Sequence, residues 1–225
     1  RKTAFIVGAL VTATTAILIV FTILSYFATR TLAASGHTLN IEVTAHQWWW
    51  EVTYSDEEPS RVFQTANEIH LPVGRPVEFT LKAADVIHSF WIPNLGGKQD
   101  LIPGQVNTIA FTPDHTGTYR GQCAEFCGLQ HAHMALYVVV QNERDFESWR
   151  AAQLRPAPVL SMPGTVTGQR VFFNRGCALC HTIRGTSAGG RLGPDLTHLA
   201  TRKTIAAGTL LNSQHGLTVW LADPQ

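Results

Sequence analysis

Cys123-Ala124-Glu125-Phe126-Cys127-Gly128-Leu129-Gln130-His131-Ala132-His133-Met134 packs two thiols, two imidazoles and a thioether into one short stretch. Such soft donors select copper, whereas carboxylate-rich sets select magnesium, calcium or manganese. A mononuclear blue-copper site takes one cysteine, two histidines and a weak axial methionine. Here the cysteine is duplicated four residues on, so that two thiolates can bridge two copper ions. Each copper then needs a terminal ligand. His131 supplies one, and His88, in Asp85-Val86-Ile87-His88-Ser89-Phe90, is the best-placed candidate for the other. The competing reading is a Cys123–Cys127 disulfide, reasonable in an exported domain. It explains neither the histidines nor Met134. His133 reads as solvent-facing, and His37, His46, His70 and His115 as surface or satisfied buried histidines.

Outward from the cluster the pattern has period two. Val77, Phe79 and Leu81 alternate with Glu78, Thr80 and Lys82, and Leu39, Ile41 and Val43 alternate with Asn40, Glu42 and Thr44. Both are half-buried strands by this signature, and residues 105–111 and 135–140 read likewise. Turn signals separate them at Pro72-Val73-Gly74, Gly96-Gly97, Pro103-Gly104 and His115-Thr116-Gly117. Short strands at such spacing make a β-sandwich or small barrel. A short helix follows at 143–153, with Phe146 and Trp149 on one face, and then a Pro- and Gly-rich linker from 155 to 168.

Upstream, residues 4–29 contain no charge and would form a helix about 39 Å long, against a hydrocarbon core of about 30 Å. The run is longer than the roughly 7–15 apolar residues of a signal peptide, so it reads as a retained transmembrane helix. Arg1 and Lys2 before it, against Arg30 after it, place its N-terminal end inside and the rest of the chain outside.

The 225 residues carry 17 Lys+Arg and 16 Asp+Glu, a net +1, with 15% charged and 45% hydrophobic residues. The balance points to no nucleic-acid partner, and the composition excludes a disordered or collagen-like chain. Four cysteines are too few for a disulfide scaffold of this length. The net charge is a sum over unlike parts. Residues 36–150 hold 7 basic and 14 acidic residues, and residues 167–225 hold 6 basic and 2 acidic. Opposite fields of this kind favour mutual docking of the two parts across a flexible tether.

The second cysteine pair, Cys177-Ala178-Leu179-Cys180-His181, is the c-type haem attachment motif: two thioethers to the haem and an adjacent axial histidine. A thioredoxin-like pair would need a βαβ setting and a zinc site a further cysteine pair, and neither is present in the sequence. Residues 168–173 just upstream read as an amphipathic helix. No methionine follows the motif. Met162 sits in the linker, and His198 and His215 are the downstream substitutes as sixth ligand.

The first cluster, Cys-x-Glu-x-Cys-Gly-x-x-His-x-x-Met preceded by Val/Ile-His-Ser-Phe/Trp, resembles the dinuclear CuA centre of cytochrome c oxidase subunit II, from the membrane helix through Trp149. The resemblance implies a cupredoxin-like barrel with His88, Cys123, Cys127, His131 and Met134 as side-chain ligands and Glu125 as a backbone-carbonyl ligand. It also implies a magnesium ion on the Glu125 side chain at the contact with the catalytic subunit. Gln47-Trp48-Trp49-Trp50 matches the family's aromatic segment, which implies Trp48 as electron-entry residue. Three adjacent tryptophans on an alternating strand cannot all face one core, so Trp49 or Trp50 suits core and partner packing. The Cys177 region resembles small class I cytochromes c, which implies that the Pro194 carbonyl orients His181 and that the axial methionine lies beyond Gln225. The family usually has two membrane helices, and one is present here.

The expected architecture is a multi-domain membrane protein: a transmembrane anchor (1–35), an all-β cupredoxin-like CuA domain (36–150), a Pro-rich linker (151–166) and an all-α class I cytochrome c domain (167–225). The resemblance implies subunit II of a caa-type oxidase, anchored in the inner membrane with both domains on the periplasmic side. Electrons would pass from a soluble cytochrome or quinol-oxidising complex through haem c to CuA. Catalytic subunit I, with further membrane subunits, would reduce dioxygen and translocate protons. The competing functions are the electron-entry subunit of a CuA-containing nitric oxide reductase and, from another class, a membrane-tethered copper assembly protein. Covalent haem weighs against the latter.

Overall fold

The computed structural model describes residues 1–31 and 38–224; His37 lies outside them. Helix α1 (Lys2–Thr31) is, over Lys2–Phe27, long and apolar enough to cross a membrane. The remainder, from Thr38 onward, is described separately.

The alternating pattern becomes a two-sheet sandwich. In β1 (Leu39–His46) the side chains of Leu39, Ile41, Val43 and Ala45 point inward and are buried, as are Val77, Phe79 and Leu81 of β5 (Val77–Ala83). The first sheet runs β3-β2-β1-β5-β8, with β2 at Trp49–Tyr54, β3 at Phe63–Ala66 and β8 at Asn107–Phe111. The second runs β4-β10-β9-β6-β7, with β4 at Glu68–Pro72, β6 at His88–Trp91, β7 at Lys98–Leu101, β9 at Gly117–Cys123 and β10 at Ala135–Gln141. Pairs β1–β5 and β4–β10 are parallel. This is the cupredoxin-like arrangement that the sequence predicts. Trp50, Tyr54, Phe79 and Phe90 fill the space between the sheets.

Chain crossing between the sheets is abrupt. Asn67, between β3 and β4, adopts a left-handed conformation with φ 60°, which asparagine tolerates better than most residues. Its side-chain oxygen accepts the Trp50 N–H at 2.8 Å. After β10, Asn142 caps α2 (Glu143–Gln153) by accepting the Asp145 N–H. This helix lays Phe146 and Trp149 against the sandwich, with Trp149 stacked on His70 at 4.1 Å.

The C-terminal part begins with α3 (Pro163–Asn174), so the stretch between helices is residues 154–162. It ends with a two-residue ladder of β11 (Thr204–Ile205) and β12 (Leu210–Leu211), then α4 (Gln214–Ala222). It is seated on the β3–β4 side of the sandwich. The Ala207 carbonyl accepts the Ala135 N–H at 3.0 Å, where β4 no longer reaches β10. Thr209 Oγ1 donates to the His133 carbonyl at 3.3 Å, and Glu68 Oε2 accepts the Lys203 N–H at 2.9 Å. The intervening stretch is itself held: Ala157 N donates to the Arg184 carbonyl, and His198 Nε2 to the Arg155 carbonyl. Among the described residues no ion pair joins the acidic and basic halves. The seating rests on backbone and side-chain hydrogen bonds, with the Arg202 charge acting on the Glu68 carboxylate without forming a direct ion pair.

Glu68 is therefore a latch. Burial opposes its ionisation, but His70, the Lys203 amide and Arg202 outweigh burial and hold its carboxyl below the ordinary 4.5. A carboxylate with a depressed pKa in the folded state stabilises it above the ordinary carboxylate range and loses that contribution as pH falls through the depressed value. We expect Glu68→Ala to leave the His70 ring and the Lys203 amide without their acceptor at about 1–3 kcal/mol. Hydrogen exchange at Lys203 should accelerate in the variant, and in the parent only below that pH range; unchanged exchange would refute the latch.

Candidate metal centre and haem attachment site

Four of the five side chains expected at the copper cluster come from the ends of two neighbouring strands and the loop between them. Cys123 closes β9 and Met134 directly precedes β10, and Cys123 N donates to the Met134 carbonyl at 2.9 Å. The loop between them, residues 124–133, carries Cys127 and His131, and His88 opens the adjacent β6. Gly128 has φ +115°, and a Cβ there would lie 3.0 Å from Trp48 Cζ2, so glycine lets the loop pass against that ring.

The donor atoms converge in sequence of contact. His88 Nδ1 lies 3.8 Å from Cys123 Sγ, the two sulfurs are 3.8 Å apart, and Cys127 Sγ lies 3.6 Å from His131 Nδ1. Met134 Sδ is 3.8 Å from Cys127 Sγ, and the Glu125 carbonyl oxygen is 3.2 Å from Cys123 Sγ. No disulfide closes the pair. His88, Cys123 and Cys127 are buried with ligand atoms within 4.8 Å of one another. Burial opposes ionisation of Cys123, but hydrogen bonding to His88 and to backbone groups outweighs it and brings the thiol down from 9.0 to about 7. Burial and the charge of Cys123 push Cys127 up to about 12. Ionising one thiol thus keeps the other protonated, and only a cation between the two sulfurs would let both ionise; the soft sulfur, imidazole and thioether set fits copper.

Asp85 was quoted in sequence with no role, and the structure gives it one. His88 Nε2 is 2.8 Å from Asp85 Oδ1, so the carboxylate accepts the Nε2–H and holds the ring with Nδ1 toward Cys123, where a metal would take it. Burial opposes the Asp85 charge, but His88 and the amides of Val86 and Gln47 hold its carboxyl below the ordinary range. A carboxylate three residues before a ligand-type histidine is the signal that could have found it. Losing such an orienting partner costs roughly 10–100-fold in metal affinity. Asp85→Asn should weaken copper retention by about that factor in a competition titration with a chelator; wild-type retention would contradict the role.

The tryptophans divide as an alternating strand requires. Trp50 is fully buried, with its ring 6.2 Å from that of His88. Trp48 donates its Nε1–H to the Cys127 carbonyl at 2.9 Å, and Gln47 Nε2 donates to the same oxygen at 2.8 Å. Trp49 stacks on His46 at 4.4 Å. His133 is exposed and paired with Gln130, His115 is exposed, and His70 is buried against Glu68. Glu125 is exposed.

In the second cluster, Gly176 at φ 76° ends the run of α3, and Cys177–Leu179 forms a single tight turn that leaves Cys180 exposed. His181 Nδ1 lies 2.9 Å from the Pro194 carbonyl oxygen, an acceptor only, so Nδ1 is protonated and Nε2 carries the lone pair. Gly190 runs so close to this turn that a Cβ would meet the Leu179 carbonyl at 2.4 Å. Among the described residues from α3 onward, only Ala188, Ile205 and Ala207 are buried apolar residues, while Leu179 and Leu192 are each 78% exposed. That segment lacks an apolar core of its own, and two thiols, an oriented imidazole and uncovered leucines fit a covalently held haem. His198 is engaged with Arg155, and Met162 is exposed at the start of α3.

Residues 56–142 match the family model "Cytochrome C oxidase subunit II, periplasmic domain", and residues 165–219 match "Cytochrome c". A cytochrome c oxidase subunit 2 from Alkalihalophilus pseudofirmus is 36% identical over 189 residues, covering 84% of this chain and 53% of the relative. Its counterpart from Bacillus sp. PS3 is 33% identical over 198 residues, covering 84% and 54%. The chain thus spans about half the length of these relatives. A crystal structure of the periplasmic domain of subunit II of cytochrome oxidase from Bradyrhizobium japonicum is 33% identical, covering 51% of this chain and 92% of that one, with a TM-score of 0.48.

Proposed function

We propose, for a chain that belongs to the cytochrome c oxidase subunit II family and carries a cytochrome c domain behind it, the role of electron-entry subunit in a respiratory haem-copper oxidase. The observation that carries this reading is the pair of sulfurs 3.8 Å apart with an imidazole nitrogen beyond each. Two copper ions would be held by Cys123 and Cys127 as bridges, His88 and His131 as terminal ligands, Met134 and the Glu125 carbonyl as the weaker donors. Haem c would be attached through Cys177 and Cys180, with His181 as axial ligand. Copper and haem supply reversible one-electron chemistry when bound.

The chain's own residues supply fixed geometry. Asp85 and Pro194 each hold one imidazole in a single tautomer and orientation. Met134 and Phe90, fully buried, keep water from the copper side. Cys123 and Cys127, if they held two ions between them, would let one electron be shared over both with little change in the ligand positions. Trp48, bonded to the Cys127 carbonyl, is the entry point for an external donor. Helix α1 anchors the chain in the inner membrane, with the redox domains on the periplasmic side, where catalytic subunit I and its neighbours dock. The exposed Glu125 side chain would hold a magnesium ion at that contact. Dioxygen reduction and proton translocation belong to the partner chain, and the donor is a soluble cytochrome or a quinol-oxidising complex.

Metal and haem analysis of the purified full chain tests the reading. Two coppers and one covalent haem per chain are expected, and a single copper, or zinc, would overturn it.

A further inference from the structure

Between the two redox segments lies a cavity of about 140 Å³. Trp49, Glu51, Gln64 and Thr65 line it from the sandwich, and Thr182, Gly190, Arg191, Gly193 and Asp195 from the cytochrome segment. Gly193 is packed against the axial-type histidine, since a Cβ there would lie 2.7 Å from His181 Cε1. The His181 imidazole is thus one residue from the cavity wall that Trp49 faces. On the other side, Trp49 is covalently continuous with Trp50, whose ring stands 6.2 Å from His88, and His88 Nδ1 stands 3.8 Å from Cys123 Sγ.

We infer that Trp49 is the internal receiving residue, through which an electron from the His181 side crosses to Trp50, His88 and the cysteine pair. Resting on the relay reading above, this gives adjacent tryptophans separate duties. Trp48 is bonded to the copper loop and serves exchange with another protein, and Trp49 serves exchange within the chain. Electron tunnelling falls off exponentially with distance and more steeply across a gap than through bonded or π-stacked atoms. Among the cavity-lining residues, Trp49 is the one with an extended π system, and His46, stacked on it at 4.4 Å and 6° between planes, fixes its orientation. With haem and copper bound, the step would move one electron from the iron that His181 would hold, once reduced, to the oxidised copper held by the cysteine pair. It makes or breaks no bond, moves no proton and leaves the indole closed-shell.

The test uses the full chain with both cofactors bound, in Trp49→Leu and Trp49→Phe. After flash reduction of the haem, Trp49→Leu should slow electron arrival at copper by an order of magnitude, and Trp49→Phe, which keeps a ring over His46, should recover most of it. Copper and haem content, the copper spectrum and both reduction potentials should stay at parent values, and hydrogen exchange across 182–195 should show the seating intact. Should Trp49→Leu loosen that seating, Trp49→Met, which fills the space without a π system, decides with the same expected slowing. Parent-like transfer in a seated, fully loaded Leu or Met variant would overturn the inference. Absence of two coppers or of haem from the parent chain would instead refute the relay reading on which it rests.

Discussion

Cys127→Ser leaves a purified chain with at most one copper and no electron shared between two metal nuclei. Cys127 Sγ lies within 4 Å of three other donors, Cys123 Sγ, His131 Nδ1 and Met134 Sδ. In the proposed arrangement Cys127 would belong to both metal positions, so removing it would disrupt both, unlike the loss of a terminal ligand. The serine hydroxyl is a hard, protonated oxygen at neutral pH and a poor match for copper. The sandwich should survive, because the residue sits on a loop and its volume hardly changes. Copper per chain, the hyperfine pattern and unchanged circular dichroism report this together. Two coppers retained in Cys127→Ser would remove the bridging assignment.

The second large effect is on the other cluster. A Cys177→Ala, Cys180→Ala double variant should carry no haem after denaturation and retain its full copper content. The proposed copper donors stand on β6, at the end of β9 and in the residues between β9 and β10, none of which includes the attachment turn. The cytochrome segment should not survive equally well. It buries three small or medium apolar side chains and exposes Leu179, Leu192, Leu211 and Leu221, far less than a segment of that size needs to offset its conformational entropy. Limited proteolysis should therefore cut the double variant between 163 and 224 and spare the sandwich. Equal resistance in variant and parent would show that the segment folds without its haem.

Much of this was legible in the chain, for reasons that can be located. Val77, Phe79 and Leu81 read as a strand because one face of β5 meets the core and Glu78 is exposed. Strand β4 was silent because all five of its residues are buried, Glu68 and His70 included. No alternation survives when a segment 135 residues away covers the outer face and supplies the amide partner of Glu68. The metal donors were legible because soft ligands cluster locally in Cys123–Met134, and His88 because its segment has a recognisable setting. Asp85 had no role in the sequence and Trp49 read only as core or partner packing, since what stands opposite each is set by the fold: an imidazole nitrogen in one case, the cavity toward the His181 region in the other. Segment charges suggested electrostatic docking across a flexible tether. The seating uses Ala207, Lys203 and Thr209, two of them through backbone groups that charge counting cannot see, and its one charge contact of note is Arg202 acting on Glu68.

In the proposed relay, one electron given to the haem side reaches the copper side within the same chain. Pulse reduction of the purified full chain, followed at haem and copper wavelengths over a range of protein concentrations, tests it most directly. Haem reduction is expected first, then haem reoxidation in step with copper reduction, at a first-order rate independent of protein concentration. Copper reduction whose rate rises in proportion to protein concentration, or haem that stays reduced beside oxidised copper, would contradict it.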